Sequence, residues 1–336
     1  MATIIDVAHK AQVSVTTVSR FLNHTGPISE KTTEKIMDAI EELNYRPNFF
    51  AKGMRTSVTK TIGILIPDYR NLFYPELFFH IDAYFRDHGY MTLVTNTDTN
   101  SAREYEHIEE LIAHKVDGLI LFSYNRVEKD LEYLCKVAQD IPIVVMDPLV
   151  RNEPLSYVIS DGYKGTMAGI DYLFERGRKR IGYVKGPSKV YVTKERFRGY
   201  KKALSERGID FDPRLVYEGD FTIASGYEGA RRLVESGGDI DAIMAVNDMM
   251  AVGVIKYLNA MRIRIPQDIN IIGFDNIPLC EIVEPSLTTI AQPIGLLGET
   301  AARIIVDSIA ERGEATPNAR RQIVLETELI VRGSTS

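Results

Sequence analysis

From Thr61 onward the chain is a succession of short, continuous apolar runs set between amphipathic stretches, and few architectures accept that pattern. TIGILIP, MTLVTN, DGLILF and IPIVVMD are apolar at consecutive positions, as strands covered on both faces must be. The stretches between them, 75–88, 101–114 and 129–139, predict helices, so each unit is a strand followed by a right-handed crossover of a parallel sheet. A second series repeats the rhythm. Tyr157 to Asp161 leads into a helix; IGYVKG, LVYEGD, AIMAVN and NIIGFD predict strands, and 195–207, 224–235 and 248–260 predict helices. Two doubly wound lobes in tandem imply a cleft, and open parallel sheets bind ligands beyond the carboxyl ends of their strands.

The first residues follow a different period. Ile4, Val7, Ala8 and Ala11 line one face of a short helix, with Thr3 and Asp6 as a capping box. Ser14 caps a second helix that buries Val18 and Leu22, leaving Val15, Thr16, Thr17, Ser19 and Arg20 outward or on its flanks. Two helices joined so tightly cannot bury their apolar faces alone; a third, capped by Ser29, brings Ile36, Ala39, Ile40 and Leu43 inward. The expectation is an all-α headpiece of three helices. A helix rich in short hydroxyls and ending in Arg suits the major groove. Hydroxyls donate to phosphates, Val and Thr methyls meet the thymine methyl, and Arg bonds guanine bidentately.

A net charge of −6 on 336 residues looks wrong for a DNA binder until it is divided. Residues 1–60 hold eight Lys/Arg against six Asp/Glu, so the acid surplus lies in the remainder. Between Glu42 and Asp68 there is no acid at all, while Arg46, Lys52, Arg55 and Lys60 are basic, which concentrates phosphate affinity there. No stretch approaches the roughly 20 apolar residues of a membrane span, and the start of the chain lacks a secretory pattern, so a cytoplasmic protein is expected. Cys135 and Cys280 lack metal-ligand spacing and read as buried thiols.

The run DVAHKAQVSVTTVSRFLN, followed by NYRPNFFAKGMR and then TIGILIPD, resembles the LacI/GalR family of bacterial transcription regulators. That resemblance implies a helix-turn-helix headpiece over residues 1–45, a hinge helix or linker over 46–60, and an effector-binding and dimerisation body over 61–336 with the type I periplasmic-binding-protein fold. The chain would cross between lobes near 159–162, 288–293 and 319–323. Lobe one would then span about 61–160 and 292–320, and lobe two about 161–289 and 321–336. It further implies that Val15 and Thr16 discriminate bases and Arg20 adds a guanine contact. Thr3, Ser14, Thr17, Ser19, Asn23, Ser29, Thr32, Tyr45 and Asn48 would hold phosphates. In the hinge, Ala51 would lie against DNA and Met54, where relatives usually carry Leu, would wedge into the minor groove; Gly53 weakens that helix on its own.

At the strand ends, Asp147, Asn247 and Asp275, and Arg196 in the helix after Lys185-Gly186, match the family's sugar-contacting positions, and Phe221 its aromatic one. Asn71, Phe73 and Tyr74 match the first-lobe loop that closes over the effector, with Asp161 and Arg198 as weaker candidates. Carboxylates, an amide, a forked Arg and an aromatic face suit a polyhydroxylated ligand. Asp248 reads as a helix N-cap instead. Neither GxGxxG nor GxxxxGK[ST] occurs, GxSxG and HExxH are absent, and the histidines show no metal-ligand pairing, so no enzyme, metal or cofactor is expected. The reading is a repressor that binds a pseudo-palindromic double-stranded operator as a homodimer, without membrane association, and is switched by a small sugar or sugar derivative. Purine corepression or a phosphoprotein partner is the alternative within the family. A solute-binding protein would share the body, but would need a secretion signal and no headpiece.

Overall fold

The computed structural model describes residues 2–23, 25–45, 58–122, 128–147, 154–237, 239–312 and 320–336. Asn48, Ala51 and Met54, and with them the expected hinge helix, lie outside the described residues. The chain forms two compact units, residues 1–59 and 60–336.

The first unit contains α1 (Ile4–Ala11), α2 (Val15–Asn23) and α3 (Glu30–Glu42). Thr3 and Asp6 form the capping box at the start of α1. Gln12 ends that helix in the left-handed region at φ 55°, and its N–H bonds back to Ala8 and His9, which makes the tight turn into α2. Val7, Ala8, Ala11, Val18, Ile36 and Ala39 form the core, rimmed by Ile4, Phe21, Leu22, Ile40, Leu43 and Tyr45. Fully burying one such Val, Leu or Ile is worth about 1.5–3 kcal/mol, and so short a module has few of them.

The second unit holds two six-stranded sheets. In the first, β1 (Thr61–Ile66), β2 (Met91–Asn96), β3 (Gly118–Leu121), β4 (Ile143–Val145) and β5 (Ser156–Ser160) are joined by β11 (Gln322–Leu325), in the order β11-β5-β4-β3-β1-β2, all parallel. The second contains β6 (Ile181–Lys185), β7 (Val216–Glu218), β8 (Ala242–Ala245), β9 (Asn270–Asp275), β10 (Thr288–Ala291) and β12 (Glu328–Ile330), ordered β12-β10-β9-β8-β6-β7. Its one antiparallel pair is β10 with β12. Every residue of β1 is buried; Ile62, Ile64 and Ile66 enter the core on one face and Leu65 the core on the other. That two-sided cover is why the strand sequences read as unbroken apolar runs.

Helices α4 (Phe73–Asp87), α5 (Ser101–Ala113), α6 (Glu128–Asp140) and α12 (Ile294–Ala310) cover the first sheet. Helices α7 (Gly162–Glu175), α8 (Tyr191–Glu206), α9 (Ile223–Glu235) and α10 (Asp248–Ala260), with the short α11 (Leu279–Ile282), belong to the second. Helix α4 starts at Phe73, before Pro75, because proline is tolerated in a first turn. The chain passes between sheets after β5, after β10 and between β11 and β12. The assignment of 321–336 to lobe two is therefore corrected: β11 pairs with β5, Gln322 opposite Tyr157, and the third crossing falls at Glu326–Thr327, not at 319–323. Among the described residues no helix is long and apolar enough to cross a membrane, and both cysteines are free, Cys280 buried and Cys135 half-buried.

Candidate functional site

Asn71, Phe73, Tyr74, Asp147, Arg196, Phe221, Asn247 and Asp275 all line one cavity between the two sheets. It measures about 580 Å³ including its open mouth. The parallel sheets explain the convergence. Asp275 ends β9, Asn247 follows β8, Phe221 follows β7, and Asp147 lies just beyond β4 in the other sheet. Asp147, Arg196 and Asp275 are 4 %, 5 % and 4 % exposed, and such burial of charge is costly unless each finds partners.

Arg196, on α8, is held by three contacts. Its guanidinium stacks on Phe274 at 3.6 Å, Nη1 donates to the Val246 carbonyl at 2.6 Å, and the same nitrogen reaches Asp275 Oδ1 at 3.4 Å. Its stem needs Gly162 beside it: a Cβ there would lie 3.0 Å from Arg196 Cγ. Gln292 Nε2 donates to Asp275 Oδ1 at 2.6 Å, and Ser160 Oγ donates to Gln292 Oε1 at 2.5 Å. Ser160 ends β5 in one sheet and Asp275 ends β9 in the other, so this relay spans the lobes through a crossing segment. Burial pushes the Asp275 carboxyl up, to about 7, against the opposing pull of Arg196. Neither Gln292 nor Ser160 was legible as a site residue. Both lie where strand periodicity ends, and the residue types alone carry no signal.

Asn247 has a double role. Its Oδ1 accepts from Met250 N at 3.0 Å and caps α10, while Nδ2 donates to the Phe221 carbonyl at 3.2 Å. The cap expected of Asp248 thus belongs to Asn247. Asp248 is instead fully buried, accepting from Thr289 Oγ1 at 2.6 Å and Ile277 N at 3.0 Å, and burial raises its carboxyl to about 6. Asn71 Oδ1 accepts from Phe73 N at 3.1 Å, which places Phe73 and Tyr74 in the first turn of α4. Tyr74 is core as well as wall, with its ring edge-on to Phe122 at 5.4 Å; Phe73 packs against the cores of both lobes. Asp161 caps α7 through Lys164 N, and Arg198 pairs with Glu195 at 2.6 Å; both line a neighbouring hollow, not this cavity.

In the headpiece, Val15, Thr16 and Arg20 are exposed on α2 while Val18 is buried beneath them. Thr3, Ser14 and Ser29 each cap a helix; Ser14 Oγ accepts from Thr17 N at 3.0 Å, and Ser29 Oγ from Thr32 N at 3.3 Å. The Thr17 and Thr32 hydroxyls pair with those caps at 2.8 Å. Ser19 is half-buried, Asn23 is the last residue of α2, and Tyr45 packs against the core rim.

A three-helix module with an exposed polar helix, followed in the chain by a body of two sheets with a cavity between them, fits the class of ligand-responsive DNA-binding transcription regulators. Residues 3–48 match the model of the bacterial regulatory proteins of the lacI family, and residues 170–335 that of a periplasmic binding protein-like domain. The chain is 36% identical over 335 residues to the ribose operon repressor of Halalkalibacterium halodurans, covering 100% of this chain and 97% of that one. It is 33% identical to the HTH-type transcriptional repressor PurR of Photobacterium profundum, covering 99% and 98%. The lac repressor dimer bound to operator and the anti-inducer ONPF superimposes with a TM-score of 0.89 at 26% identity, covering 99% of each chain. The protein belongs to the LacI family of bacterial transcription regulators.

Proposed function

We propose that the protein is a cytoplasmic repressor that binds a pseudo-palindromic operator as a homodimer and is switched by a small sugar or sugar derivative, working by binding and not by catalysis. The observation that carries this reading is the cavity itself. Carboxylates, an amide and a guanidinium from both sheets converge on one space walled by Phe73, Tyr74 and Phe221. Sugar hydroxyls donate to carboxylates and accept from Asn and Arg, and an aromatic ring covers the C–H face. The ribose operon and lac repressor relatives support a sugar, and PurR marks a purine as the competitor.

On the DNA side, Val15, Thr16 and Arg20 read bases, and Thr3, Ser14, Thr17, Ser19, Asn23, Ser29, Thr32, Tyr45 and Asn48 hold the backbone. Ala51 and Met54 serve the minor groove. The test is selection of genomic fragments by the full chain, repeated with monosaccharides and with guanine or hypoxanthine. The reading expects palindromic sites whose recovery changes with a monosaccharide. It also expects Val15 and Thr16 replacements to alter the selected sequence, and Thr17→Ala to weaken all sequences alike by about tenfold, the worth of one neutral hydrogen bond. Selection of no palindrome would overturn it, and a response to purines alone would remove the sugar.

A further inference from the structure

We infer that Asp248 and Arg332, neither of which lines the cavity, are positioning residues of the effector site: they grip the two residues after Asp275 and so fix the direction of its carboxyl. This rests on the reading of the inter-lobe cavity as the effector site.

Strand β9 ends at Asp275, and within three residues the chain has turned into Pro278 and α11. It turns through Asp275 at φ 117° and Asn276 at φ 63°, a region that side chains enter only under constraint. The sheet does not supply that constraint. Pairing of β9 with β10 stops at Asp275 opposite Ala291, so the N–H groups of Asn276 and Ile277 lie beyond the ladder. Ile277 is buried, and a buried N–H needs a partner.

Asp248 is that partner. Its Oδ2 accepts from Ile277 N at 3.0 Å and its Oδ1 from Thr289 Oγ1 at 2.6 Å, while hydrogen bonds from the Asn276 N–H and the Cys280 side chain add to the hold. The strand clears space for it, since a Cβ on Gly273 would collide with Asp248 Oδ1. A second carboxylate buried near Asp275 is costly, and α10 does not need it, because Asn247 already caps that helix. The turn does need it. Arg332, after β12, holds the other side: Nη2 donates to Asn276 Oδ1 at 2.9 Å and Nη1 to the Leu287 carbonyl at 3.1 Å, which ties the turn to the start of β10. Asp275 is thus aimed from behind, by groups outside the cavity, at a space where hydrogen bonds weaken steeply with misalignment.

The experiment is calorimetric titration of the full-length protein at pH 8, where Asp275 is ionised, with D-ribose, D-xylose, D-glucose, guanine and hypoxanthine. Whichever binds is then titrated into Asp248→Ala, Asp248→Asn and Arg332→Met, each alone and combined with Asp275→Asn. Asp248→Ala and Arg332→Met should each weaken binding about tenfold, the lower end of what a hydrogen bond to a charged group contributes. Asp248→Asn keeps an oxygen for Ile277 N and should recover most of that loss. In the Asp275→Asn background the two replacements should cost only about threefold, because a neutral amide makes bonds about half as strong as those of the carboxylate they aim. Arg332→Met, at a half-buried position, carries the test if Asp248→Ala does not fold. Equal losses in both backgrounds, or a lowered melting temperature with unchanged affinity, overturn the inference and leave the reading of the site intact. Failure of the unaltered protein to bind any of the five compounds brings down that reading and the inference with it.

Discussion

Asp275 sits at φ 117° with Asn276 at φ 63° beside it, and Phe221 across the cavity stands at φ 70°; non-glycine residues take such conformations where the surrounding fold enforces them. The same fold strips Asp275 of water, so burial raises its carboxyl from the ordinary 3.8 to about 7, with Arg196 and Gln292 pulling the other way and the buried Asp248 adding to the rise. The sign of the consequence differs for folding and for binding. The folded state holds more protons than the unfolded chain between about pH 4 and 7, so this carboxyl's contribution to stability falls as pH rises through that window. A sugar hydroxyl donates to the ionised form, so effector affinity should climb from pH 6 to pH 8. Melting curves with and without effector across that range should show both trends. The increase in affinity should be absent from Asp275→Asn, and an unchanged pH profile in that variant would remove Asp275 from the binding event. Asp275, Asp147 and Asn247 were legible because a polar residue just after an apolar strand is conspicuous, whereas Arg196, on a helix, was legible only through the family resemblance. Gln292 and Ser160 were not, because their importance comes from a contact 132 residues apart in the chain.

At the scale of elements, α9 and α10 approach so closely that each needs a glycine. A Cβ on Gly226 would lie 2.0 Å from the Met250 carbonyl oxygen, and one on Gly253 would lie 2.1 Å from that of Ile223. Both obstacles are backbone, so no rotamer change relieves them. Gly226→Ala should therefore cost about 1–3 kcal/mol or more, through separation of the helices, although alanine is the better helix former. Urea unfolding would read this as a lower midpoint, and an unchanged midpoint would mean that the helices part without penalty. The strands and crossover helices were readable since burial on both faces leaves no alternative to continuous apolar runs. The crossing inside the C-terminal QIVLETELI was not, because no Gly or Pro marks Glu326–Thr327, where the chain leaves β5 of one sheet for β10 of the other. Pairing partners are set by the assembled lobes, and local pattern carries no trace of them.

For the molecule as a whole, a ligand shifts the DNA-binding equilibrium only by its difference in affinity between two states, and moving a population from 1:99 to 99:1 takes about 5.5 kcal/mol. A cavity lined from both lobes is where such a difference arises, since closure changes the distance between its walls. Phe73 is well placed to register it: it begins α4 in the first lobe and packs against the hydrophobic cores of both lobes. Thermodynamic linkage requires that the factor by which saturating effector changes operator affinity equal the factor by which saturating operator changes effector affinity. Both can be measured on the full chain, by titrating operator with effector present and effector with operator present. Phe73→Ala should reduce the two factors together, by about five- to tenfold, while operator binding without effector stays near that of the unaltered protein. If Phe73→Ala instead weakens effector binding equally with and without operator, the side chain is only a wall of the cavity, and the lobes are coupled through the Ser160–Gln292–Asp275 relay.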